Sequence, residues 1–204
     1  MAALPVSEDD RKLIESFWKE YIDGFIFNDL NNCVRAGANY LVALGEMCYI
    51  DFLGKLMTGK ANNSQGNFKR FVRAYLPQYS RRVFLNKLYR EFRSGLVHAY
   101  FPENVDVVAV MKPLPVPPSI WRERGKWKIV VADFLDEFKK AADALKKDLL
   151  AGKHLKQFKK VVSESPGLER IPKWPTVSGT PVTSTTVTTY SSGFITPPIK
   201  PPDE

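Results

Sequence analysis

The chain has 204 residues and a mass of 23.2 kDa, with 44% hydrophobic residues and a formal net charge of +8. This size and hydrophobic content are typical of one globular domain with its own core. No apolar run approaches the roughly 18 residues that a membrane span needs, and the N-terminus lacks the features of a secretory signal, so we expect a soluble, cytoplasmic protein with no membrane partner.

Two long helices are predicted in the first 59 residues. Ser7 and the acids after it provide an N-cap and an acidic first turn. A second apolar pattern runs from Val34 to Leu56 and stops at Thr58-Gly59, which predicts a largely buried helix that follows a break at residues 28–32. The first helix carries its apolar residues at four-residue spacing, at Leu13, Phe17, Tyr21 and Phe25.

The middle of the chain is predicted to contain a surface loop and two further helices. The polar run at residues 60–67 indicates the loop, and a short helix over residues 68–76 should end at Pro77. A longer helix is predicted from Ser80 to about Tyr100, with a core stripe of Leu85, Leu88, Phe92 and Leu96.

The last third is predicted to contain a small β-hairpin, a helix and a tail. Two β-branched runs, at residues 105–111 and 127–131, indicate the hairpin, and Asp133 should cap a last helix that reaches Val162. The residues after Ser163 are rich in Pro, Ser, Thr and Gly and have little apolar content. We therefore predict a helical domain over residues 1–163 and a disordered tail over residues 164–204.

Cysteine and histidine are too scarce to indicate a disulfide framework or a metal site. Cys33 and Cys48 lie in apolar helical patterns without CxxC spacing, and His98 and His154 are the only histidines. We predict no metal and no other cofactor.

A basic stretch marks the middle of the chain, and Glu91 is its only acid. The pattern is compatible with a surface that binds RNA and with an ordinary solvated helix face. Its basic residues are Lys69, Arg70, Arg73, Arg81, Arg82, Lys87, Arg90 and Arg93.

Arg93 and His98 stand on the same predicted helix with a small Ser94-Gly95 pair between them. Five residues of ideal helix separate the two groups by about 140° and about 7.5 Å, so they should flank a groove. Arg90, Ser94 and His98 share a stripe with Glu91 beside it. The small residues would let a nucleotide backbone, or the same helix of a second subunit, approach closely.

Such a groove has the groups that RNA cleavage requires. His98 can exchange a proton with a ribose 2′-OH or a leaving 5′-oxygen near neutral pH, and Arg93 can stabilise charge on the phosphate. Transesterification by the 2′-OH would then need no metal and would leave a 2′,3′-cyclic phosphate. DNA, which lacks the 2′-OH, should not be cleaved.

The Arg-x4-His motif from Arg93 to His98, followed by the aromatic pair Tyr100-Phe101, resembles the motif of HEPN domains. The resemblance extends over residues 7–162 and implies an all-α, up-and-down bundle of four to five helices that dimerises through the motif helix. It also implies metal-independent endoribonuclease activity, with Arg93 stabilising the phosphate and His98 as the general acid or base. Family members include toxins and antiviral effectors, which implies an inhibitory protein partner. Ser94 stands where they often carry Asn, Asp or His.

Two hypotheses of different classes therefore remain open. The first is a dimeric ribonuclease, in which Ser94, Glu91 and Arg90 support Arg93 and His98. The second is a non-catalytic helical module that binds RNA or a protein and dimerises. In the second, His98 is a helix C-terminal imidazole, and Glu91 forms a surface pair with Lys87 instead of orienting His98.

Overall fold

A computed structural model describes residues 6–99, 105–108 and 119–165 of the chain. These residues are mostly helical, with a small antiparallel hairpin ahead of a long helix, which confirms the predicted fold class. The helices are α1 (Glu8–Phe17), α2 (Asn28–Arg35), α3 (Asn39–Thr58), α4 (Ser64–Tyr75), α5 (Arg82–Lys87), α6 (Ser94–Ala99), α7 (Val131–Leu150) and α8 (Leu155–Ser163). The strands are β1 (Val105–Val108), β2 (Ile120–Glu123) and β3 (Lys126–Val130).

The first helical run is longer than the sequence predicted. A π-helical segment, Trp18–Phe27, joins α1 to α2, and the predicted break at residues 28–32 is wrong because Leu30 is buried in the middle of that polar run. The break falls at Gly37, whose φ of 71° few other residues adopt readily. The amides of Gly37 and Ala38 close the helix by donating to carbonyls of its last turns.

α3 and α4 pack in direct backbone contact. A Cβ on Gly54 would overlap the backbone oxygen of Asn67, so only glycine permits this approach. The side chain of Asn67 is buried, donates to the Lys60 carbonyl at 2.8 Å and accepts from the Thr58 hydroxyl. These contacts order the connection, and α4 starts at Ser64, inside the predicted loop and four residues before the predicted helix start.

The predicted helix from Ser80 to about Tyr100 is present as a helical run over Arg82–Ala99. It consists of α5, a π-helical segment at Leu88–Arg93, and α6, and we call it the motif run because it carries Arg93 and His98. A short 3₁₀ turn at Pro77–Tyr79 precedes it.

The predicted hairpin pairs a different strand with residues 126–130. β3 lies in the middle of the sheet, antiparallel to β2 and parallel to β1. Arg124 and Gly125 connect β2 to β3 with φ angles of 48° and 83°, and two left-handed residues form the turn that tight hairpins favour. The predicted residues 109–111 lie outside the described residues.

The predicted last helix is two helices. α7 begins at Val131, two residues before the proposed cap Asp133, and the chain turns at Gly152 and His154, whose φ angles are 85° and 59°. Ser119, directly before β2, and Tyr79, in the 3₁₀ turn, both donate hydrogen bonds to Glu137, so both segments are attached to α7. The predicted tail lies outside the described residues from residue 166 onward.

The core is formed by apolar side chains of the helices and of β2 and β3. Within the described residues, no helix is long and apolar enough to cross a membrane. Trp127 of β3 is fully buried against Phe84 and Phe92, which joins the sheet to the motif run. Cys33 and Cys48 are both free thiols.

Candidate functional site

The structure places the two motif side chains in different environments. Arg93 ends the π-helical segment, and its side chain is only 17% exposed. His98 lies near the end of α6 with an exposed side chain, while Ser94 between them is half-buried. The predicted aromatic pair at residues 100–101 lies outside the described residues.

Arg93 is bound to an acid of its own chain. Its Nη2 donates to Oδ2 of Asp51 on α3 at 2.6 Å, and its guanidinium lies 5.6 Å from the centre of the Tyr89 ring. Ser64 Oγ donates to the same Asp51 oxygen and is 2.9 Å from the Tyr89 hydroxyl. These four residues form a mostly buried polar cluster, which we call the Asp51 cluster.

The charge of Asp51 is only partly compensated by its partners. Burial raises the pKa of Asp51, and the hydrogen bond from Ser64 and the charge of Arg93 offset part of that rise. Sequence reasoning missed this residue. The available signal was the presence of acids inside the largely apolar helix α3, because buried acids usually have a polar partner; α3 carries two, Glu46 and Asp51, and only Asp51 has such a partner.

The Asp51 cluster limits what Arg93 can do chemically. A phosphate that used the Arg93 fork would have to displace Asp51 or share the guanidinium with it. The negative charge that develops on the phosphoryl oxygens would then face an arginine that Asp51 already neutralises, which weakens its stabilising effect. In this arrangement, Arg93 connects the motif run to α3.

Glu91 has neither of the roles considered for it. Its Oε2 accepts a hydrogen bond from Trp127 Nε1 at 2.9 Å and lies 3.4 Å from Nη2 of Arg122. Because Glu91 is directed to the sheet, Lys87 forms no ion pair with the described residues.

Three cations on α4 and the motif run lie close together. Burial, followed by the charges of Arg73 and Arg90, lowers the pKa of Lys69. Arg73 and Arg90 are exposed, and the three residues form no ion pair with the described part of the chain. We call this group the Lys69 cluster.

The other predicted RNA-binding residues lie near one of two places. Arg70 is exposed on α4, and its charge contributes to lowering the pKa of His154, after burial of that imidazole. Arg81, Arg82 and Lys87 line one cleft at the start of the motif run, together with Arg122 and Trp127, which sequence reasoning did not select. Arg122 and Trp127 are far from residues 81–87 in the sequence, so no local sequence pattern predicts that they line the same cleft.

No group of three or more His, Cys, Asp or Glu side chains among the described residues could hold a metal ion. Comparisons with family models, with curated protein sequences and with solved structures found no match for this chain. The HEPN resemblance therefore stays a prediction that depends on the Arg93 to His98 motif and its helical context.

Proposed function

We propose that this chain is a helical module that binds single-stranded RNA without cleaving it. The observation that carries the proposal is the Lys69 cluster, in which three neighbouring cations have no acidic partner among the described residues. The preference for RNA comes from the resemblance of the motif between Arg93 and His98 to that of RNA-processing domains.

The electrostatics of the Lys69 cluster favour a polyanion. The lowered pKa of Lys69 means that this ammonium carries its charge at a free-energy cost, which Arg73 and Arg90 increase. A phosphate placed among the three cations would offset the repulsion between them and release condensed counterions from the strand. Binding should therefore be strong at low salt and weaken steeply as salt is added.

The test is the salt dependence of RNA affinity for a triple variant, Lys69→Gln, Arg73→Gln and Arg90→Gln. Each lost phosphate contact lowers the slope of log K against log salt by about 0.7 for a single strand, so the variant should lose about 2. Fluorescence anisotropy of a labelled oligoribonucleotide between about 50 and 200 mM salt measures this slope.

A matched control removes three exposed lysines from α7 and α8, as Lys140→Gln, Lys147→Gln and Lys156→Gln. It loses the same net charge as the triple variant and should keep most of the wild-type slope. Equal slopes for both variants would show that RNA affinity depends only on net charge, and the proposed surface would be rejected.

Ribonuclease activity is the second candidate, and the exposed side chain of His98 on the motif run favours it. His98 would exchange the proton of the 2′-OH, and a symmetric pairing of motif runs would bring in a second His98. RNA cleavage of this kind would allow the protein to act as a toxin or an antiviral effector. Incubation of RNA with the protein in EDTA separates the candidates: cleavage to 2′,3′-cyclic ends that disappears in His98→Gln supports the enzyme, and intact RNA that stays bound supports the module.

A further inference from the structure

A cleft of about 420 Å³ lies between the start of the motif run and the sheet. Four of its seven lining residues are cations and none is acidic; the full set is Arg81, Arg82, Val83, Phe84, Lys87, Arg122 and Trp127. The cleft has the volume of a small-ligand site and the charge of an anion site.

The cations of the cleft differ in how free they are to bind an anion. Arg122 is held by Glu91, by the Gly125 carbonyl at 3.2 Å and by stacking 5.8 Å from the centre of the Trp127 ring. Arg81, Arg82 and Lys87 form no ion pair with the described residues. Arg122 is therefore neutralised and held in place. Arg81, Arg82 and Lys87 remain uncompensated and can bind a ligand with a charge near −2.

The apolar part of the cleft indicates what else the ligand carries. Val83 is 70% exposed, the largest exposure among the bulky apolar residues that the structure describes, and it stands beside the half-buried ring of Phe84. An exposed aliphatic and aromatic edge next to cations is suited to the flat face of a base above a bound phosphate.

We infer that this cleft binds one phosphorylated nucleotide unit of RNA, with the phosphate at Arg81, Arg82 and Lys87 and the base against Val83 and Phe84. The inference deepens the proposed function, since it assigns a discrete nucleotide subsite in addition to the Lys69 cluster. The cleft would bind a free nucleoside monophosphate as well as a nucleotide within a strand.

Isothermal titration calorimetry with adenosine monophosphate, adenosine and inorganic phosphate tests the two halves of the subsite. The monophosphate should bind at least about tenfold more tightly than adenosine, because only the phosphate forms charge-assisted hydrogen bonds. It should also bind more tightly than inorganic phosphate, which lacks the base. Equal affinity for adenosine or for inorganic phosphate would overturn the nucleotide assignment.

Variants then locate the binding. Arg82→Glu should weaken the monophosphate at least about tenfold, whereas the control Arg35→Glu, an exposed arginine on α2 outside the cleft, should leave it unchanged. Val83→Asp should weaken the monophosphate more than inorganic phosphate. Equal loss in the Arg82 and Arg35 variants would overturn the inference, and far-UV circular dichroism checks that all three fold.

The same titration separates this subsite from the proposed RNA surface. The triple variant of the Lys69 cluster should lose RNA affinity and keep the monophosphate, and Arg82→Glu should lose the monophosphate. Monophosphate binding by a chain that binds no RNA would reject the proposed function alone. An acidic peptide or an anionic lipid vesicle that binds the cleft more tightly than the monophosphate would overturn the nucleotide inference in favour of that partner.

Discussion

Glu46 provides the sharpest test of the structure's energetics. Its side chain is fully buried on α3, and neither carboxyl oxygen has a hydrogen-bond partner among the described residues. Burial, and to a smaller extent the charge of Glu137, raises the pKa of Glu46 well above its usual value of 4.5. The group is therefore neutral in the folded protein over a pH range in which it is ionised in the unfolded chain.

The sign of the pH dependence follows from proton binding. Above pH 4.5 the folded state keeps a proton on Glu46 that the unfolded state has lost, so the free energy of unfolding falls as pH rises. The decrease is about 1.36 kcal/mol per pH unit until the folded-state pKa is reached. The contribution of Glu46 to stability is therefore largest below pH 4.5 and falls steadily as the pH rises above that value.

Two substitutions separate the charge from the missing hydrogen bonds. Glu46→Gln removes the titration and should flatten the pH dependence by the amount above. Glu46→Met also removes the unsatisfied polar atoms and should add about 1–3 kcal/mol of stability at pH 5.5. Urea unfolding of both variants, with the exposed Glu15→Gln as control, measures these differences. Parallel pH curves for wild type and Glu46→Gln would refute the burial of an unpaired carboxyl.

Three further predictions concern packing and assembly. Gly54→Ala should lower the free energy of unfolding by about 3 kcal/mol, because the added methyl overlaps the Asn67 backbone; an unchanged denaturation midpoint would contradict this contact. Arg93→Ala should lower it by about 3 kcal/mol by leaving Asp51 buried without its cation, and the double variant Arg93→Met with Asp51→Leu should recover most of the loss in the same unfolding assay. If the motif runs of two subunits pair, Gly95→Leu should shift a dimer to monomer in sedimentation; a dimer unaffected by the change would exclude that pairing.

The helical elements were predictable because their apolar periodicity is local. The motif run was located to within two residues at its start, and α3 was identified as a largely buried helix. The ends of helices were predicted less well. The polar residues 28–32 do not end the first helical run, which ends instead where Gly37 adopts a left-handed backbone conformation. Likewise, Gly152 divides the last helical region although the apolar pattern continues across it.

The candidate site was less predictable because its contacts join residues far apart in the chain. Asp51 and Arg93 are 42 residues apart, and Glu91 and Trp127 are 36 residues apart. The spacing from Arg93 to His98 is compatible with a catalytic pair and with a structural arginine beside an exposed histidine. Only the position of α3 against the motif run distinguishes these possibilities, and helical periodicity does not specify it.

The two acidic contacts of the motif run involve its inward-facing side and leave its exposed cations unpaired among the described residues. Asp51 holds Arg93 from α3, and Glu91 turns to Trp127 and Arg122 of the sheet, so the acids near this helix are used to attach it to the fold. Among the described residues, no acid forms an ion pair with the exposed cations of the motif run. The residues that anchor the motif run are therefore different from its exposed cations, and weakening an anchor should change the fold before it changes the charge that a polyanion meets. Binding and stability are for this reason separable by mutation, with outward cations affecting binding and inward pairs affecting folding.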